Sequence, residues 1–120
     1  MPRVLIVEDD PAVARLLERI LAHQGLEASS FADGESAEAV WSAGEIDLVL
    51  LDAMLPGIDG LTLTRRMRER GDRTPVILVS AREVAAMQQA AEEANVDAYL
   101  AKPFSHDELL ALVRRFLPDR

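Results

Sequence analysis

The sequence predicts a doubly wound α/β domain: five βα units in a row around a five-stranded parallel sheet of order 2-1-3-4-5. Three observations carry this. Short apolar runs alternate with longer amphipathic ones along the whole chain. The strongest short runs are apolar at every position, as strands covered on both faces are, rather than alternating. The 120 residues fit one domain, 1–120, and leave no room for a second.

The elements follow in order. RVLIV (Arg3–Val7) reads as a buried strand. In the next helix Asp10 is a fair N-cap and Pro11 suits the first helical position. Val13, Leu16, Leu17, Ile20 and Leu21 form its apolar stripe, and Gly25 stops it. EASSF (Glu27–Phe31) is a weaker strand. DGESAEAVWSAG is a short helix with Ala37, Val40 and Trp41 inward. DLVLL (Asp47–Leu51) is a second strongly buried strand. The breaker-rich loop DAMLPGIDG leads into the helix LTLTRRMRERG, ending at Gly71. PVILVS (Pro75–Ser80) is a third buried strand. Residues 82–95 are helical by propensity but Ala-rich, with a poor apolar stripe. DAYLA (Asp97–Ala101) is a short strand. In the last helix Ser105 and Glu108 form a capping box, with Leu109, Leu112, Val113 and Phe116 inward. Strands 1, 3 and 4 are the most apolar and belong in the centre. Met54, Met67, Met87 and Trp41 read as packing residues.

Composition excludes several classes. Cysteine is absent, so there are no disulfides or thiolate metal sites, and a reducing cytoplasm is acceptable. No apolar run approaches the ~20 residues that span a bilayer, and the N-terminus turns acidic at once, unlike a signal peptide. The net charge of −8 argues against direct nucleic-acid binding, which needs clustered cations. The exception is RRMRER (Arg65–Arg70), read as a solvated helix face, with an acidic partner docking there as the alternative. His23 and His106 lie at helix ends without partners in sequence.

Open α/β sheets bind at the carboxyl ends of their strands. Strand 1 ends in Glu8-Asp9-Asp10, strand 3 in Asp52 and strand 4 in Ser80, and Lys102 follows strand 5. The order 2-1-3-4-5 gathers these carboxylates, the hydroxyl and the ammonium on one rim. Crowded carboxylates repel unless a cation compensates. Mg²⁺ is the natural one, taking about six oxygens of which one or two are carboxylate. Such a site beside a lysine suits phosphoryl transfer, with a remaining carboxylate as nucleophile. Lys102 is the sole lysine beside twelve arginines. A compact ammonium on a flexible stem suits a phosphoryl group that comes and goes better than a planar fork does.

The blocks VLIVEDD, DLVLLDAMLPGIDG, PVILVSA and YLAKPF, in this order and spacing, resemble the receiver domain of bacterial two-component response regulators over the whole chain. The resemblance implies the flavodoxin-like receiver fold shared with chemotaxis regulators. It implies Asp52 as phosphoacceptor, fed from a phosphohistidine on a sensor histidine kinase or phosphotransfer protein. Glu8 and Asp9 would be the acidic pair, with Asp9 and Asp52 ligating Mg²⁺ (or Mn²⁺), Glu8 acting through water and the Met54 carbonyl completing the set. Lys102 would hold phosphoryl oxygens. Ser80 and Tyr99 would be the switch residues, and Pro103 would follow a cis bond. The domain would catalyse its own phosphorylation and dephosphorylation and nothing else, and would be cytoplasmic. It would act on a downstream output protein or a fused output domain through the face of the fourth helix, fifth strand and fifth helix, as a monomer or a phosphorylation-dependent homodimer. Ala98 and Leu112 stand where one large subfamily places a charged pair for dimerisation, which puts that dimer mode in doubt. Asn95 replaces the usual glycine at a helix end and tolerates left-handed geometry. A haloacid-dehalogenase-type phosphatase would show DxD, and position +2 here is Met54. A flavodoxin needs a hydroxyl-rich phosphate loop after strand 1, where this chain has EDDP.

Overall fold

Burial on both faces of the central strands drives the architecture. In the computed structural model, which describes residues 2–81, 89 and 92–117, the strands are β1 (Arg3–Val7), β2 (Glu27–Phe31), β3 (Leu48–Asp52), β4 (Val76–Ser80) and β5 (Ala98–Ala101). They form one parallel sheet in the order β2-β1-β3-β4-β5, as the sequence predicts. Successive side chains point to opposite faces. Val4, Ile6, Leu48, Leu50, Ile77 and Val79 therefore share one core with Leu17, Leu21, Leu109 and Val113. Leu5, Val7, Val49, Leu51, Val76 and Leu78 face the other core, with Trp41, Leu63 and Met67. Between Arg3 at one end and Asp52 and Ser80 at the other, no polar position interrupts the central strands, so charge is pushed to the two rims.

Four helices lie among the described residues: α1 (Pro11–His23), α2 (Gly34–Ser42), α3 (Gly60–Glu69) and the C-terminal helix (His106–Phe116). Asp10, Asp33 and Asp59 cap the first three, and Ser105 with Glu108 closes the capping box of the last. The helix anticipated at 82–95 falls largely outside the described residues. Its described end, 92–94, is helical and closes at Asn95 with φ 59°, the left-handed geometry expected of that asparagine. Met87 also lies outside the described residues.

Some local expectations change. Leu16 is 50% exposed, because at about 100° per residue it lies off the stripe through Leu17, Ile20 and Leu21. Ala14 is buried there instead. In the C-terminal helix Leu110 is buried and Leu112 only half-buried. Met54 is not a packing residue, being 59% exposed. Arg68 does not belong to a solvated face. It bonds the carbonyls of Asp72, Thr74 and Asn95 and pairs with Asp97 at 3.0 Å, tying α3 to the loops before β4 and β5. Arg66 and Arg70 both grip Glu38 of α2, at 2.9 and 2.8 Å.

Candidate functional site at the carboxyl rim

The rim assembles because three neighbouring strands end together. The Glu8 N–H continues the β1 ladder to the Phe31 carbonyl, and the Ala53 N–H does the same from β3 to Val79. This holds Glu8 and Asp52 at the lips of the core, 4% and 6% exposed. Asp9 is exposed. Carboxylate oxygens of Glu8, Asp9 and Asp52 all lie within 4.8 Å of one another.

Lys102 reaches this cluster from the turn after β5. Its backbone N–H donates to the Ser80 carbonyl at 2.8 Å, and the Lys102–Pro103 peptide is cis. Its Nζ lies 2.9 Å from Glu8 Oε1 and 3.3 Å from Asp52 Oδ2. The other oxygens are also held: Glu8 Oε2 accepts from the Asp10 N–H at 3.2 Å and Asp52 Oδ1 from the Met54 N–H at 2.9 Å. Among the described residues, one ammonium thus meets two carboxylates, with a third, Asp9, beside them.

The electrostatics follow from that ratio. Burial pushes the Glu8 carboxyl above its ordinary value; the bonds from Lys102 and Asp10 oppose this and the charge of Asp52 adds to it. Burial alone would lower the Lys102 ammonium, but the bond to Glu8 and the charges of Asp52 and Glu8 outweigh it and hold Lys102 above its usual range. The lysine stays charged, yet it does not neutralise the cluster. Hard oxygen donors in negative excess fit a divalent cation such as Mg²⁺.

Ser80, 1% exposed, ends β4 beside Lys102. Tyr99 is half-buried against the core shared with Trp41. It lines a cavity of about 310 Å³ with Ala98, Leu112 and Arg115. The structure therefore gathers Glu8, Asp9, Asp52, Lys102 and the Met54 backbone, sets Ser80 at the adjoining strand end, and leaves Tyr99 to one side. Sequence reasoning missed two residues that shape this rim. A side chain on Gly60 would put its Cβ 2.5 Å from the Asp52 carbonyl oxygen, and one on Gly34 would meet the Ile58 carbonyl oxygen at 2.9 Å. The Asp-Gly pairs at 33–34 and 59–60 were the available signal; the first read simply as a helix start and the second as the end of a breaker-rich loop.

Comparison with known proteins agrees with this geometry. A family model described as a response regulator receiver domain matches residues 4–114. The transcriptional regulatory protein TcrA of Mycobacterium tuberculosis is 42% identical over 112 residues, covering 93% of this chain and 44% of that protein. The response regulator MprA of Mycolicibacterium vanbaalenii is 39% identical over 121 residues, covering 98% and 52%. The chain thus spans about half the length of these curated relatives. The receiver domain of the Francisella response regulator 1452 superposes with a TM-score of 0.93 at 30% identity, over 98% of both chains. The receiver domain of the sensor histidine kinase PA1611 from Pseudomonas aeruginosa, with magnesium coordinated in its active-site cleft, gives 0.87 at 32% identity, again over 98% of both.

Proposed function

The chain belongs to the response regulator receiver domain family, and from that premise we propose that Asp52 accepts a phosphoryl group from a phosphohistidine of a histidine kinase or phosphotransfer protein. One observation carries the assignment: Lys102 Nζ bridges Glu8 and Asp52 at 2.9 and 3.3 Å while a third carboxylate, Asp9, stands within 4.8 Å. Asp9, Asp52 and the Met54 carbonyl would hold Mg²⁺ (Mn²⁺ being an acceptable substitute), with Glu8 acting through water. The magnesium in the PA1611 receiver supports that choice. When bound, the cation supplies positive charge against the phosphoryl oxygens.

The remaining work falls to the chain. An Asp52 carboxylate oxygen attacks phosphorus, the P–N bond breaks, and its electron pair returns to the imidazole nitrogen of the donor. The Met54 N–H orients the carboxylate through Oδ1. Lys102 leaves Asp52 Oδ2 for a phosphoryl oxygen. Water attack on the same phosphorus later returns Asp52 to its free carboxylate. The domain so catalyses its own phosphorylation and dephosphorylation, and acts on no other substrate.

Phosphorylation replaces one negative charge by roughly −1.5 to −2 and adds acceptor oxygens. The Ser80 hydroxyl moves to meet them. Lys102 is coupled to Ser80 through its backbone, and Tyr99 follows toward the space Ser80 leaves. The signal passes to an output protein or a fused output domain through the face that carries Ala98, Tyr99 and Leu112. Residues 1–120 form this single domain. It works in the cytoplasm as a monomer or a phosphorylation-dependent homodimer, without binding nucleic acid itself. Among the described residues no helix is long and apolar enough to cross a membrane.

Acetyl phosphate with Mg²⁺ tests the reading. Mass spectrometry is expected to find one phosphoryl adduct on the wild type and none on Asp52→Ala or after chelation. An unlabelled wild type, or an equal adduct on Asp52→Ala, would overturn it.

A further inference from the structure

The loop 53–59 carries the Met54 N–H that holds Asp52 Oδ1, and two helix starts press on it. Gly60 opens α3. A Cβ there would lie 2.5 Å from the Asp52 carbonyl oxygen, 3.1 Å from Leu51 Cγ and 3.2 Å from Ala53 Cα. Gly34 opens α2, and its Cβ would lie 2.9 Å from the Ile58 carbonyl oxygen and 3.3 Å from Ile58 Cβ. Both glycines are buried, and neither has a positive φ. Backbone freedom is therefore not what either position needs. Each is a place where one backbone sits directly against another, and no rotamer can relieve the clash.

We infer that Gly34 and Gly60 are positioning residues that clamp loop 53–59 from its two ends and so fix the Met54 N–H on the Asp52 carboxylate. Gly60 acts on Asp52 through its own carbonyl. Gly34 acts at a remove, through Ile58, from a helix that contributes no group to the site. This rests on the assignment of Asp52 and its cation site above. A displacement of a few tenths of an ångström at Ile58 is expected to pass along the loop, because Gly60 prevents the other end from absorbing it. Site groups need placement within about 0.5 Å, and supporting contacts of metal ligands change affinity by about 10–100-fold.

The test compares Gly34→Ala with Glu35→Ala, an exposed neighbour on the same helix, and with wild type. In metal-free protein, amide NMR follows Met54; calorimetry then measures Mg²⁺ affinity on samples shown to be folded by circular dichroism. Gly34→Ala is expected to move the Met54 amide resonance and weaken Mg²⁺ about tenfold, with Glu35→Ala unchanged in both. A folded Gly34→Ala with an unmoved Met54 amide and Mg²⁺ affinity within about twofold of wild type would overturn the inference. If Gly34→Ala does not fold, Ile58→Gly removes from the loop side the Cβ that faces Gly34. It should speed Met54 amide exchange and weaken Mg²⁺, and no change in either would overturn the proposal equally. A wild type that binds no Mg²⁺ and takes no phosphoryl group would instead sink the underlying assignment, while the Met54 amide would still report on the clamp.

Discussion

At the amino ends of the strands, Arg3 reaches Glu27 and Glu45 at 3.4 Å, and its backbone N–H donates to Asp47 at 2.8 Å. Arg68 binds Asp97 and three backbone carbonyls, and Asp97 Oδ2 also accepts the Val76 N–H. At the carboxyl ends, Lys102 is the one cation among the described residues that meets Glu8 and Asp52, with Asp9 close by. The first rim leaves Glu27 and Glu45 more than half exposed and holds its acids with planar forks or backbone N–H groups. The second buries Glu8 and Asp52 and answers them with a flexible point charge. Acid that serves the fold is met by solvent, guanidinium forks and backbone N–H groups. Under the proposed function, the buried acid of the second rim awaits a cation and a phosphoryl group.

Cutting the amino-rim network should give the largest effect on stability. Arg68, with its side chain 8% exposed, takes a donor from three loop carbonyls and from Asp97 when truncated. Arg68→Met is expected to cost about 3 kcal/mol in denaturant unfolding. Phosphorylation per folded molecule should stay as in wild type. A loss below about 0.5 kcal/mol would show that this rim is ordinary surface charge.

The carboxyl rim should respond with the opposite sign. Glu8 is held above its ordinary value chiefly by burial, so the folded chain takes up that proton more readily than the unfolded chain. Its ionisation near neutral pH therefore costs stability, and the cost grows as pH rises from the usual glutamate range through the raised folded value. Gln keeps an acceptor for Lys102 without the charge. Without divalent cations, Glu8→Gln is expected to gain on the order of 1 kcal/mol at neutral pH and to lose that gain in acid. Mg²⁺ affinity should fall. A destabilised Glu8→Gln at neutral pH would mean that the pairing with Lys102 outweighs the crowding.

The two rims were not equally legible in the sequence. Glu8, Asp9, Asp52 and Lys102 could be placed because each directly follows an apolar strand, and strand order alone brings such ends together. Arg68 looked like its neighbours in RRMRER because its partners are mainly carbonyls of distant loops, which no side-chain pattern records. Leu16 was misplaced by counting apolar residues without their angle about the helix. Gly34 and Gly60 were hidden for another reason. Their role is the absence of a Cβ against a backbone oxygen, and only packed coordinates reveal such an approach.

The smallest effect sharpens where the carboxyl rim's excess ends. Asp10, Asp33 and Asp59 also sit at this rim, but each accepts a backbone N–H of its own helix, from Ala12, Ser36 and Thr62. Acid there divides into caps, which the helix satisfies, and site groups, which it does not. Asp33 shows the difference in its titration. The Ser36 N–H, followed by the Ser36 hydroxyl, holds its carboxyl below the ordinary value, opposite to Glu8. A depressed carboxyl adds stability that is present above the unfolded value of about 3.9 and is lost as pH falls through the lower folded value. Asn caps nearly as well as Asp, so Asp33→Asn should remove the charge and keep the cap. Its melting temperature should lie slightly below wild type near neutral pH, and the gap should close below about pH 3. Melts of both proteins across that range measure the gap, in which the other carboxylates cancel. Were the gap constant with pH, or were Mg²⁺ affinity to change with it, Asp33 would have to be counted with the site acids rather than the caps.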